Sequence, residues 1–227
     1  MTVPPRAMRV GLMVPASNTT MEAEMLARLP AGSTITRIGI PRSEAPLTRE
    51  TMPAYREAVV ALAAQSFAPG QHDLLVYGCT AAGFAAGPEG DAALARDLAQ
   101  CTGLPVVTTA RSMVQRLQRL GARTIAVVTP YSDAVNAQLV DFLADGGIAV
   151  RRLDSLRAPD LAALCAIRAP EVDALARRTM GADCDALFIG CTQLPTEAIL
   201  GALARDFGRP VLSAVSATAE QALVTAA

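Results

Sequence analysis

Cys79, in LLVYGCTAAG (residues 74–83), and Cys191, in ALFIGCTQLPT (186–196), stand in one repeated phrase: an apolar run of strand length, a glycine, the cysteine, a threonine. A thiolate is a strong nucleophile and a thiol a ready proton donor. A facing pair can therefore add to an electron-poor carbon, or move a proton between the two faces of one. The glycine before each cysteine is expected to let the chain turn sharply at the strand end. Backbone N–H groups in the following turn or helix start would lower a thiol pKa and bind a carboxylate. Thr80 and Thr192 add a hydroxyl beside each sulfur.

Other chemistries lack their residues. All 20 basic residues are arginine, so neither a pyridoxal Schiff base nor the lysine of a phosphate-binding loop is possible. The one histidine, His72, lies in the polar stretch PGQHD and reads as solvated surface, which leaves a Ser-His-Asp triad without support. The cysteines follow no metal-ligand spacing, so no metal and no cofactor are expected. An odd number of cysteines, five, in a chain whose first residues lack an apolar signal core points to reduced thiols and a cytoplasmic location. Cys101, Cys165 and Cys184 read as inert core. With 20 basic against 21 acidic residues and no basic run, nucleic acid and membrane are poor partners, and a small neutral or anionic ligand remains.

The elements that must position the two thiols follow from hydrophobic pattern. Strand-length runs lie at 9–14, 34–40, 74–78, 105–109, 124–129, 148–153, 186–190 and 210–214, separated by alanine- and leucine-rich stretches of helical period. That alternation predicts an α/β chain with parallel sheets. Thr19 with Glu22 reads as a capping box for MEAEMLARL, and Gly146-Gly147 closes the helix DAVNAQLVDFLAD. GFAAGPEG (83–90) reads as a flexible loop over the cleft, and PRSEAPLTRETMP (41–53) as a second irregular segment at its mouth.

The halves repeat. A strand ending in proline, a strand ending in Gly-Cys-Thr and a Gly-x-Pro strand occur twice in the same order, with 64 positions from Pro15 to Cys79 and 61 from Pro130 to Cys191. The expected architecture is two similar lobes, 1–112 carrying Cys79 and 113–227 carrying Cys191. Each has a parallel four-stranded sheet, related by a pseudo-twofold axis with the active site in the cleft between them.

These features resemble the cofactor-independent aspartate/glutamate racemase superfamily, whose members place one cysteine from each lobe on either side of a small carboxylate. VPASNTTMEAEM (14–25) resembles the opening of maleate cis-trans isomerases, and TPYSDAVNAQLVDFLADGG (129–147) resembles both that group and the arylmalonate decarboxylases. The resemblance implies Cys79 as nucleophile and Cys191 as second catalytic thiol. Asn18, Thr80, the Ala81 N–H, Tyr131 and Thr192 would hold substrate carboxylates. It implies a small dicarboxylate substrate isomerised without cofactor, and a homo-oligomer. A two-cysteine racemase of the amino-acid or hydantoin type, and an arylmalonate-type decarboxylase, are the alternatives. Asn18 also suits a cap for the helix after it, and Tyr131 a packing role. In SLRAPDLAALCA (155–166), Leu161 falls where the isomerases carry a further asparagine, which points to a less charged contact at that end of the substrate.

Overall fold

Each expected strand run forms a strand in the computed structural model, which describes residues 6–42, 47–48, 50–68 and 70–226. Along the chain the elements are β1 (Arg9–Pro15), α1 (Met21–Leu26), β2 (Thr34–Ile40), α2 (Met52–Ser66), β3 (Leu74–Tyr77), α3 (Thr80–Thr102), β4 (Val106–Thr108) and α4 (Thr109–Arg119). The second series is β5 (Thr124–Thr129), α5 (Asp133–Asp145), β6 (Ala149–Ser155), α6 (Leu161–Ala166), α7 (Ala169–Thr179), β7 (Ala186–Ile189), α8 (Glu197–Phe207), β8 (Val211–Ser213) and α9 (Ala214–Ala226). The strands make two four-stranded sheets, β2-β1-β3-β4 and β6-β5-β7-β8, with every pairing parallel. The identical order is the structural form of the sequence repeat.

The central strands are apolar on both faces because both faces are covered, which is what a continuous β-branched run rather than an alternating one implies. On β3, Leu74 and Val76 join a core with Val10, Leu12 and Val14, while Leu75 and Tyr77 join the opposite core with Met13, Val59 and Leu98. In the second sheet Ile125, Val127 and Phe188 face one way, and Ala126, Val128 and Ile189 the other.

Two helices cross between the sheets. α4 follows the first sheet's edge strand β4, yet Met113 and Leu117 pack with Ile125, Val127, Phe188 and Leu212 of the second. α9 follows β8, yet Val215, Ala219 and Ala222 pack with Val10, Leu12, Val76 and Val107 of the first. The pair lie against each other, joined by Thr218 Oγ1 donating to Thr109 Oγ1 at 3.1 Å and by the Arg116–Glu220 ion pair. The expected lobe limit between residues 112 and 113 falls inside α4.

Four local expectations change. The cap of α1 comes from Asn18, whose Oδ1 accepts from Thr20 N (3.1 Å) and Met21 N (2.9 Å), while Thr19 turns to Gln193. GFAAGPEG is helical: its alanines continue α3, which kinks at Gly87 (φ 69°, ψ 174°) before Pro88, and no loop spans the cleft there. His72 is buried edge-on against Phe67, with ring centroids 5.2 Å apart, so its polar neighbours in sequence misstate its surroundings. Of the 41–53 segment, residues 43–46 and 49 lie outside the described residues, and Met52 and Pro53 open α2. Gly146 and Gly147 end α5 as expected, Gly147 with φ +74°. No described helix is long and apolar enough to cross a membrane.

Candidate active site

The carboxyl ends of β1, β3, β5 and β7 converge on one cavity of ≈ 130 Å³. Asn18, Cys79, Thr80, Ala81, Tyr131, Cys191 and Thr192, all seven residues singled out from the sequence, line it, together with Pro15, Ser17, Leu164 and Gln193. None of these side chains carries a formal charge. Any anion held here is held by N–H and O–H dipoles, which keep their strength where water is scarce.

The two cysteines reach the cavity by different routes. Cys79 has an ordinary extended backbone (φ −106°, ψ 97°) and is the N-cap of α3, whose first N–H groups open beside it. Cys191 has φ +138°, a conformation that L-residues other than glycine rarely adopt, and the chain after it forms a tight turn rather than a helix. The glycines before them do not make these turns, since neither has a positive φ. Gly78 is needed for close approach instead: a Cβ there would lie 2.5 Å from Met21 Sδ and 2.6 Å from Val14 Cγ1. The sharp turn expected at the glycine is made by Cys191 itself.

Burial pushes both thiols above the ordinary range and so favours their neutral form. Against that push, the Ala82 N–H and the hydroxyls of Tyr55 and Tyr77 favour the Cys79 thiolate, while the Gln193 N–H, which donates to Cys191 Sγ at 3.5 Å, the Tyr131 hydroxyl and the Leu194 N–H favour that of Cys191. Tyr131 is held from its backbone, because its carbonyl accepts from Ser155 Oγ (2.6 Å) and Asn136 Nδ2 (3.2 Å). Burial, and then the neighbouring Cys191, keep its phenol protonated and able to donate.

A polar seam closes the cavity between the two halves of the chain. Asn18 Nδ2 donates to Thr192 Oγ1 at 3.0 Å, and Thr192 Oγ1 donates to the Gly78 carbonyl at 3.0 Å. The Thr192 proton is thus engaged by the Gly78 carbonyl, and Asn18 Nδ2 has a second hydrogen to donate. Thr19 and Gln193 exchange two hydrogen bonds, and Thr20 Oγ1 donates to the Gln193 carbonyl. Glu24 accepts from Thr196 N, Thr196 Oγ1 and Glu197 N at the start of α8. Asn18 both caps α1 and faces the cavity, so the two readings of this residue are compatible.

Sequence reasoning passed over Ser17, Gln193, Tyr55 and Tyr77. Tyr77 was findable, since residues i and i+2 on a strand share a face and it precedes Cys79 by two. Tyr55 arrives from α2, and nothing in its local pattern points to Cys79. Leu161 begins α6 just after its cap Asp160 and is 36% exposed; Leu164, one turn on, is the residue that reaches the cavity. Cys101 and Cys184 lie away from the cavity lining, and Cys165 Sγ approaches the Ser17 carbonyl at 3.8 Å. A larger cavity of ≈ 680 Å³ runs along the outer face of α2, lined by Ile40, Ala54, Ala58 and Leu62 among others, with no cysteine in its lining.

The family model of arylmalonate decarboxylase matches residues 10–227. The maleate isomerase of Nocardia farcinica is 32% identical over 225 residues, 93% of this chain and 87% of that protein. Among solved structures, a cysteine-to-serine variant of the Nocardia farcinica maleate cis-trans isomerase with a covalently bound succinylcysteine intermediate superposes with a TM-score of 0.86. It is 26% identical and covers 97% of this chain and 93% of its own. A cysteine-to-alanine variant of the Pseudomonas putida S16 maleate isomerase with maleate gives a TM-score of 0.84 at 26% identity, over 96% of this chain and 91% of the other.

Proposed function

Because this chain belongs to the arylmalonate decarboxylase family, within the aspartate/glutamate racemase superfamily, we propose that it is a cofactor-independent cis-trans isomerase of maleate or a close cis-enedioate, acting through a covalent adduct on Cys79. The observation that carries this reading is the presence of two thiols, one from each half of the repeat, in the lining of a single uncharged cavity of ≈ 130 Å³. A compact four-carbon dicarboxylate suits that space better than an aryl-substituted malonate does.

The steps balance without an external reagent. The Cys79 thiolate attacks one alkene carbon; the π pair shifts to the other, next to the second carboxylate, and takes the proton of Cys191. The product is a succinyl thioether on Cys79 with Cys191 as thiolate. The former double bond is now single and rotates. Cys191 then removes a proton from the same carbon, the double bond re-forms, the carbon–sulfur bond breaks, and Cys79 leaves as thiolate. The Ala81 N–H, the hydroxyls of Thr80 and Tyr131 and the free amide hydrogen of Asn18 hold the carboxylates and the enediolate that forms during addition. The two halves act as lobes about this cleft, and the enzyme works as a homo-oligomer.

A two-base racemase is the second reading, favoured by one feature: each thiol has its own phenolic donor, as a proton acceptor on either face of an acidic carbon requires. Incubation with maleate in D₂O, followed by NMR, separates the readings. Fumarate formation, with a mass gain on the Cys79 peptide that accumulates in Cys191→Ser and is absent from Cys79→Ser, supports isomerisation. No fumarate, together with deuterium exchange at the α-carbon of an amino acid or hydantoin, transfers the assignment to racemisation. Carbon dioxide release from an arylmalonate would assign decarboxylation.

A further inference from the structure

Cys79 is met by two phenols that do not line the cavity. Tyr77, 1% exposed, stands two residues before it on the same face of β3, and Tyr55 comes across from α2. Their hydroxyl oxygens lie 3.0 Å apart, in the core that also holds Cys79, and both hydroxyls favour its ionised form. Around them are aliphatic side chains, among them Ile40, Met52, Val59 and Leu94. A buried phenol needs a polar partner, and here the two hydroxyls partner each other beside the sulfur.

Counting hydrogens shows what such a trio does. With Cys79 neutral, the two hydroxyls share one hydrogen bond, in which one donates and the other accepts. When the sulfur loses its hydrogen, two hydroxyls remain, and each rotates freely enough to point at the sulfur. The negative charge is then met by donors already in place, beside a cavity whose lining has no cation. Cys191 has a different supply, one phenol and the N–H groups of its turn.

We propose that Tyr55 and Tyr77 are positioning residues for the nucleophile: their paired hydroxyls aim the Cys79 sulfur at the cavity and turn to donate to it as a thiolate, so that Cys79, not Cys191, is the thiol that ionises. This rests on the reading of Cys79 as nucleophile. Other groups act on the trio. The Ala82 N–H of α3 also favours the thiolate, Cys191 and Cys79 oppose each other's ionisation, and Tyr131 senses both sulfurs. Burial first, then Cys79 and Tyr55, and least of all Asp91 from α3, keep the Tyr77 phenol protonated.

The test is the pH dependence of Cys79 alkylation by iodoacetamide, read on the Cys79 peptide by mass spectrometry in a Cys191→Ser background. Tyr55→Phe and Tyr77→Phe should each move the half-maximal pH upward by about one to two units, as expected when a hydrogen bond to a charged group is lost. The acid limb of kcat/KM for maleate should move with it in the Cys191-intact enzyme. An unchanged alkylation profile in the variants overturns the proposal. If the buried Tyr77 variant does not fold, Tyr55→Phe decides alone. Alkylation needs no substrate, so a shifted profile in a protein that leaves maleate untouched would remove the isomerase reading while sustaining this one.

Discussion

At the residue scale, the two thiols share a phrase in the sequence and differ in the structure. Both are raised by burial, and the proposed mechanism needs Cys79 without its proton and Cys191 with it. The sign follows: the reactive fraction grows as pH rises towards the raised pKa of Cys79. kcat/KM should climb about tenfold per unit from neutrality through pH 8 and fall only once Cys191 also ionises; a flat profile over that range in steady-state assays would contradict a neutral resting pair. Cys191 also carries backbone strain at φ +138°, of order 1–3 kcal/mol. Cys191→Ala keeps the Cβ and the strain, whereas Cys191→Gly relieves it. Glycine ordinarily loses about 0.4–1 kcal/mol to alanine through the unfolded chain, yet here Cys191→Gly should match or exceed Cys191→Ala in urea midpoint. A midpoint lower by the ordinary glycine penalty would show the backbone to be relaxed. This strain was invisible in the sequence, because a Gly-Cys pair draws attention to the glycine. Gly78, however, is kept small by Met21 and Val14, a contact made by residues far away along the chain.

At the element scale, the strands were legible and several helix details were not. Eight runs became eight strands, and the central ones announce themselves by composition alone because they are buried on both faces. Caps and partners depend on tertiary contacts. Thr19 with Glu22 fits a capping box, but Gln193 engages Thr19 and Asn18 takes the cap. GFAAGPEG contains loop-forming residues, but its alanines extend α3 and the glycine-proline pair only kinks it. Beyond that kink lies Asp91, 1% exposed, with one oxygen accepting from Thr108 Oγ1 at 2.6 Å and the other, Oδ1, buried without a hydrogen-bond partner among the described residues. Burial raises its pKa from 3.8 to about 6. A carboxyl whose folded pKa is raised binds its proton more tightly in the folded state. Stability therefore falls as pH rises from about 4 to about 6, by up to about 3 kcal/mol. Asp91→Asn keeps an acceptor for Thr108 and removes the ionisation. It should be more stable than the parent at pH 8 and lack the decline between pH 4 and 6 in urea titrations; a decline of the same size would place its origin elsewhere.

For the whole molecule, the repeat was readable and the exchange of helices was not, since the apolar stripe of α4 or α9 says that it packs and not on which sheet. The consequence for folding is direct. Residues 1–120 and 121–227 expressed separately would each lack a helix that covers one face of its sheet, so neither should give a cooperative transition alone. Mixed, they should recover one, as circular dichroism would show, whereas independent folding of either half would mean that the crossing helices matter little. Met113→Ala, although outside the second sheet's own strands, should cost about 2–5 kcal/mol through the core it shares with Ile125 and Phe188. The crossed helices also set the clock for traffic into the cavity. Swinging the halves apart would strip α4 or α9 from its core, far too slow an event to recur with every turnover. We expect admission and release to fall to α6, which has no fully buried residue and whose Cys165 Sγ lies 3.8 Å from the Ser17 carbonyl of the opposite half. Amides of α6 should exchange with deuterium orders of magnitude faster than those of β5, and equal protection would mean a different door. The helices that fasten the two halves together would then leave the passage of a substrate to a six-residue latch, and turnover would go no faster than that latch opens.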